Sequence, residues 1–196
     1  MDTTGEKRSA ETYARLINAA VDEVFDHGYA GATMTRIAKR AGLTRGAIQH
    51  HFGDRRVDII TKVTEHILSL RQDAYTSYYA RVHDGEVVDT RASIKAAYRD
   101  PATWFLIEVW IASKADPELH ERIAKILHKV SPPPQMQGLA PLANLTPNQF
   151  QVIKYTLRSL TRGIALEYAQ MHDELLFDSV VDFVIDAVNL KLKMCI

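Results

Sequence analysis

Residues 33–52 read TMTRIAKRAGLTRGAIQHHF, and this stretch decides the fold. Thr33 and Thr44 stand where hydroxyl side chains cap the starts of helices, and Gly42 suits a tight turn between them. Small side chains, which allow two helices to touch, stand at Ala38, Ala41 and Ala47. The pattern predicts a helix-turn-helix, in which the second helix enters the major groove of DNA and the first braces it.

The charge of this region favours contact with phosphates. Over the whole chain 24 Lys and Arg balance 24 Asp and Glu, so no global field draws the protein to nucleic acid. Between residues 33 and 56, however, six cations accompany one acid, Asp54. The cations are Arg36, Lys39, Arg40, Arg45, Arg55 and Arg56. This local excess predicts a DNA-binding surface.

Composition limits the other classes of protein. Hydrophobic residues make up 46% of the 196, which is enough to bury a core. Cys195 is the one cysteine, so neither an intrachain disulfide nor a cysteine-based metal site is expected. The sequence has no apolar run of membrane-spanning length, and its first residues, MDTTGEKRSAET, do not resemble a signal peptide. We therefore expect a cytoplasmic protein without a membrane anchor.

Apolar residues recur at three- and four-residue spacings through most of the chain, and strand-like alternation is almost absent. The periodicity predicts an all-α fold. Prolines and glycine in residues 131–145 predict a loop with little regular structure. The predicted helices span residues 9–27, 33–40, 44–51, 55–81, 88–99, 101–114, 117–130, 146–171 and 175–193.

The sequence resembles the tetracycline-repressor (TetR) family of bacterial regulators. The resemblance lies in FDHGY at residues 25–29, TMTRIA at 33–38 and AGLTRGAIQHHF at 41–52, followed by the basic Arg55. It implies a three-helix DNA-binding head, residues 1–54, and a helical ligand-binding and dimerisation domain, residues 55–196. It also implies that the last two helices pair with a second subunit in a four-helix bundle.

Seven residues form the predicted DNA surface. We expect Gln49 and Arg36 near bases and Thr44, Arg45 and Arg55 on phosphates. The family often has tyrosine at the position of Gln49, and glutamine can bond an adenine edge bidentately, so the operator sequence depends on this difference. The complete set is Thr35, Arg36, Thr44, Arg45, Gln49, His50 and Arg55.

A ligand site is predicted in the second domain. Trp104, Glu108 and Ile111 share one face of the 101–114 helix, where an acid on an apolar stripe either orients a ligand's polar group or is a hydrogen-bonded core glutamate. Both interpretations of Glu108 stay open. The predicted ligand-binding residues are Ile67, Leu70, Trp104, Glu108, Ile111 and Tyr168.

No catalytic or metal site is predicted. His50 and His51 are adjacent on a helix and point about 100° apart, which is unsuited to sharing one ion. Neither a nucleophile–base spacing nor a phosphate loop points to an enzyme, and no cofactor is expected.

The predicted function is a repressor released from a palindromic operator by an apolar or aromatic small molecule. The alternative is a helix-turn-helix regulator without a small-molecule effector. The apolar content of residues 146–171 and 175–193 predicts a homodimer through these two segments.

Overall fold

The computed structural model describes residues 3–83, 89–130 and 146–193. Within these ranges the chain forms nine helices and no strand, which confirms the predicted all-α fold. The predicted loop at residues 131–145 lies outside the described residues. The helices are α1 (Thr3–Gly31), α2 (Met34–Ala41), α3 (Arg45–Phe52), α4 (Arg56–His83), α5 (Thr90–Arg99), α6 (Pro101–Ser113), α7 (Pro117–Val130), α8 (Pro147–Met171) and α9 (Glu174–Lys193).

Side-chain caps set the starts of several helices. The Thr33 and Thr44 hydroxyl oxygens each accept a backbone N–H three residues later, at 3.3 Å in both cases. Thr146 and Gln149 form a reciprocal capping box, with the Thr146 N–H donating to Gln149 Oε1 at 2.8 Å. Each bond satisfies a donor that a helix start leaves without an intrahelical partner. The N-caps predicted at Thr33 and Thr44 are confirmed.

Two glycines shape the chain around α2. The sequence predicts that the first helix ends at residue 27, but helical residues continue to Gly31 after a break at Gly28, which has φ 67° and ψ 172°. Gly42 follows α2 in the left-handed conformation, with φ 62° and ψ 36°. This conformation turns the chain sharply towards α3 and is readily adopted by glycine.

The described residues form two compact units. Those within Met1–Leu70 and Phe105–Ser131 make the first unit, and those within Arg71–Trp104 and Pro132–Ile196 make the second. Helices α4 and α6 therefore contribute to both. The predicted functional division between residues 54 and 55 is distinct from this division by packing and stays a prediction.

The first unit contains α1, α2, α3 and α7 with parts of α4 and α6, and it has a dense apolar core. All twelve of the largest fully buried side chains among the described residues belong to it. They are Leu16, Val24, Ile37, Ile48, Phe52, Ile59, Ile60, Val63, Phe105, Leu106, Val109 and Leu119. This core fixes the positions of α2 and α3.

The second unit joins α5 to α8 and α9 through aromatic and ionic contacts. The Tyr98 ring lies edge-on to Tyr168, with centroids 5.4 Å apart, and its hydroxyl donates to Asp178 Oδ1 at 2.8 Å. Burial, together with this hydrogen bond, raises the pKa of Tyr98, which keeps the phenol protonated. Lys95 Nζ lies 3.0 Å from Asp182 Oδ2, and Arg91 pairs with Asp186. Successive turns of α5 and α9 are thus linked by opposite charges.

Candidate nucleic-acid interface

Helix α3 has one buried side and one exposed side. Ile48 and Phe52 are buried in the core of the first unit, whereas Arg45, Gln49 and His50 are exposed. The helical repeat places Arg45 and Gln49 one turn apart on the exposed side. The structure thus brings these three predicted DNA contacts together.

Thr44 lies at the start of the same helix. Its hydroxyl oxygen accepts the Ala47 N–H, which leaves the hydroxyl hydrogen available for donation. The side chain is exposed and adjoins the positive end of the α3 dipole. A hydroxyl donor at a helix N-terminus is well suited to a phosphate.

Arg36 and Arg40 of α2 are held by an acid on α1. Glu23 has a side chain only 6% exposed and accepts from Arg40 Nε at 2.6 Å and from Arg36 Nε at 3.0 Å. Arg40 also reaches Asp26, at 2.5 Å. Burial alone would raise the pKa of Glu23, but the hydrogen bonds from the two arginines outweigh it and lower this pKa. Glu23 is therefore a charged clamp between α1 and α2.

Arg55 lies between α3 and α4 and contacts α7. Its Nη2 is 2.5 Å from Glu118 Oε1, and its Nη1 is 3.0 Å from Glu118 Oε2. Its backbone N–H donates to Asp58 Oδ2 at 3.2 Å. The Arg55 side chain remains 56% exposed, so it is accessible to solvent while it is paired.

The six cations counted in residues 33–56 therefore overestimate how much positive charge this surface offers to DNA without first breaking internal contacts. Arg36, Arg40 and Arg55 pair with acids outside residues 33–56, and Arg56 donates to the Ala30 carbonyl oxygen at 2.9 Å. Within the part of the chain that the structure describes, Lys39 and Arg45 form no ion pair. Sequence reasoning missed Glu23 and Glu118, because no local spacing connects them with the motif.

The remaining predicted residues of the head are Thr35 on α2 and His50 on α3. Thr35 is exposed in the first turn of α2. The His50 ring lies 5.1 Å from that of His51, which is half-buried and 6.3 Å from the Tyr13 ring.

In the described ranges no three His, Cys, Asp or Glu side chains are arranged to hold a metal ion. An open cavity of about 400 Å³ is lined by Tyr13, His51, Lys62, Glu65, His66 and Ser69.

The six predicted ligand-binding residues divide between the two units. Ile67 is buried in the first unit, where Leu70 and Ile111 are 55% and 56% exposed. Glu108, also in the first unit, is half-buried and accepts a backbone N–H from Tyr29. Trp104 and Tyr168 belong to the second unit and are half-buried. The Tyr168 hydroxyl donates to Glu174 Oε1 at 2.9 Å. Their role in ligand binding stays a prediction.

No helix in the described ranges combines the length and apolar character needed to cross a membrane.

Known proteins resemble both the motif and the whole fold. Residues 16–56 match the family model for bacterial regulatory proteins of the tetR family. An uncharacterized HTH-type transcriptional regulator of Mycobacterium tuberculosis is 30% identical over 138 residues, which cover 67% of this chain and 68% of that protein.

Two solved structures share the fold. The fatty acid degradation regulator FadR from Bacillus halodurans matches with a TM-score of 0.62 and 18% identity, over 90% of this chain and 94% of that one. FadR from Bacillus subtilis, in complex with stearoyl-CoA, matches with a TM-score of 0.53 and 16% identity, over 87% and 96%. Together with the exposed α3 surface, these findings show that the chain belongs to the TetR family and is a helix-turn-helix, DNA-binding transcriptional regulator.

Proposed function

We propose that the protein is a homodimeric repressor that binds a palindromic operator and is released by an apolar or aromatic small molecule. The observation that carries the proposal is the exposed side of α3, where Arg45 and Gln49 lie next to the Thr44 cap. One polar side chain able to discriminate bases and two groups able to bind phosphate stand on a single short helix. This combination matches the needs of a helix in the major groove.

The head residues divide into two roles. Gln49 reads a base edge, since its amide can donate and accept at adenine. Thr44, Arg45 and Arg55 contact phosphates, and Thr35 and His50 complete the surface. Arg36 approaches the bases through its Nη nitrogens, because its Nε donates to Glu23.

Exposed apolar side chains on α8 and α9 support the dimer. Eight of the eleven large hydrophobic side chains exposed among the described residues lie on these two helices. They are Val152, Tyr155, Leu166, Met171, Leu175, Leu176, Phe183 and Leu190. Phe183 is 75% exposed and Leu175 is 83% exposed, and such side chains are costly to leave in water. A two-fold pairing covers them and presents two α3 helices to a palindromic site.

A small-molecule effector is supported by the fold alone. The Bacillus subtilis neighbour was crystallised with stearoyl-CoA, a long apolar chain on a polar carrier. For this chain we propose a ligand with one polar handle, bound among the six residues predicted for that role. The alternative, a regulator of this fold without an effector, predicts that no compound weakens DNA binding.

Selection from a random duplex library tests DNA recognition. We expect enrichment of a palindrome, a changed preference for Gln49→Ala, and uniformly weaker binding for Arg45→Ala. Lys125→Ala is the matched control, because it also removes one exposed positive charge, but from α7, where Lys125 pairs with Glu121. Failure to enrich any sequence, or an unchanged preference in Gln49→Ala, would contradict the assignment.

A thermal-shift screen of apolar and aromatic compounds tests the effector. A ligand of the native state raises the melting temperature by mass action. Calorimetry with and without operator then measures the coupling, which must be reciprocal: DNA weakens ligand binding by the factor by which ligand weakens DNA binding. Equal ligand affinities in the two titrations would exclude induction by that compound.

A further inference from the structure

The terminal nitrogens of the Arg55 guanidinium are bound by a carboxylate of its own chain. Both terminal nitrogens bond Glu118, one oxygen each, at 2.5 and 3.0 Å. This fork-to-fork geometry is also the one in which a guanidinium grips a phosphate. The same donors therefore cannot hold Glu118 and a phosphate in this way at once.

Glu118 is itself fixed by a second arginine. Arg122 Nη2 donates to Glu118 Oε1 at 2.8 Å, and Arg122 Nη1 donates to Asp58 Oδ1 at 2.8 Å. Asp58 in turn accepts the Arg55 backbone N–H, and its Oδ1 lies 3.6 Å from Arg55 Nη2. The four side chains form a closed ring of two cations and two anions that joins the start of α4 to the first turns of α7. All four belong to the first compact unit.

The ring is exposed enough to exchange partners. Arg55 is 56% exposed and Glu118 46% exposed, and ion pairs in such positions are weak because water and salt compete with them. The hydrogen bonds from Arg55 also lower the pKa of Glu118, which keeps its carboxylate charged at neutral pH. A phosphate next to Arg55 meets a negatively charged competitor.

We propose that Glu118 competes with the DNA backbone for Arg55, so that the first turn of α7 regulates how strongly the head binds DNA. The inference rests on the proposed phosphate contact of Arg55. When Glu118 moves away from Arg55, both terminal nitrogens of Arg55 become available to a phosphate and DNA affinity rises. When Glu118 holds Arg55, the head loses one phosphate contact.

A matched pair of variants tests this competition. Glu118→Gln and Glu121→Gln each remove one negative charge from α7, but Glu121 pairs with Lys125, at 2.6 Å. Binding is measured by fluorescence anisotropy on a duplex of random sequence, over a range of salt concentrations. We expect Glu118→Gln to bind about two- to fivefold more tightly than Glu121→Gln at low salt. Its plot of log K against log salt should be steeper by up to about 0.9, the value for one further phosphate contact.

The same two glutamine variants, made in an Arg55→Ala background, show whether the effect of Glu118 on DNA binding depends on Arg55. There the two glutamine variants should bind equally, since the competed group is gone. Equal affinity of the two in the parent background, or an advantage of Glu118→Gln that persists without Arg55, would overturn the inference while leaving DNA binding intact. If adding Arg55→Ala to the Glu118→Gln variant left its salt slope unchanged, the phosphate contact itself would be wrong and the inference would fall with it. A gain of affinity cannot arise from misfolding, so partial unfolding does not imitate the expected result.

Discussion

The Tyr29 backbone N–H donates to Oε2 of Glu108, 3.4 Å away, and ties the end of α1 to α6. The Tyr29 hydroxyl donates to Asp116 Oδ2 at 3.2 Å, and Asp116 Oδ1 accepts the Leu119 N–H at the start of α7. One buried tyrosine therefore links the DNA-binding head to two further helices of the same unit. This contact favours the interpretation of Glu108 as a hydrogen-bonded core residue, and its ligand role remains a proposal.

Removing the Glu108 carboxylate tests that interpretation. Glu108→Ala deprives the Tyr29 N–H of its acceptor, and we expect a loss of about 1 to 3 kcal/mol in the free energy of unfolding. Glu108→Gln keeps an acceptor oxygen and should lose less. Urea denaturation of the two variants measures the difference. An alanine variant as stable as the parent would show that the contact does not support the fold.

The Glu23 clamp should make the free energy of unfolding depend on pH in the acidic range. Glu23→Gln weakens two charged hydrogen bonds, and we expect it to reduce the free energy of unfolding by roughly 1 to 3 kcal/mol near neutral pH. The pKa of Glu23 is lower in the folded chain than its ordinary value of 4.5. Its stabilising effect is thus complete above that value and is lost as the pH falls through the lower, folded-state pKa. Denaturation at a series of acidic pH values should show that the difference in the free energy of unfolding between parent and variant becomes smaller as the pH falls. A difference that does not change with pH would contradict this account.

Alanine should be tolerated less at Gly53 than at Gly42. Gly53 has φ 104° and ψ −176°, a region that is almost restricted to glycine, and an added Cβ would lie 3.0 Å from Asp58 Oδ2. At Gly42 the residue is left-handed, and the nearest atom is the movable end of Arg15. We expect losses of about 1 kcal/mol for Gly42→Ala and about 2 to 3 kcal/mol for Gly53→Ala. Chemical denaturation measures both, and the reverse order would refute the argument.

A charge at Phe183 should break the proposed dimer. Phe183→Glu places a carboxylate in the middle of the apolar face of α9, and we expect the dissociation constant to rise by about 30-fold or more. Ile111→Glu is the matched control, because Ile111 is also exposed but lies on α6. Light scattering should give twice the 22.1 kDa of one chain for the parent and the control, and a lower mass for Phe183→Glu at micromolar concentration. Equal masses for the two variants would remove α9 from the interface.

The helix starts could be predicted from the sequence because caps are local. Thr33, Thr44 and Thr146 each act on a backbone group three residues away, so the pattern and its partner fall within one window. The exposed face of α3 follows from the helical repeat for the same reason. Local chemistry was sufficient to predict both.

The ionic partners of the head could not be predicted in this way. Glu118 lies 63 residues from Arg55, and Glu23 lies 17 residues from Arg40. Which charges meet depends on how α1, α2, α4 and α7 pack, and that packing is set by apolar side chains with no charge signal. Gly28 shows a similar limit: glycine indicated an end of α1, but helical residues resume after the break.

The Glu23 clamp also bears on how the protein finds its operator. Binding to random DNA depends on the number of cations that replace counterions along the backbone, and two arginines of α2 are already balanced by acids of α1. A head with fewer free cations dwells for less time on each of the many irrelevant sites in a genome. A larger share of molecules then stays available for the operator, where we propose that Gln49 reads a base. Discrimination increases because nonspecific DNA competes less, without stronger binding to the operator itself.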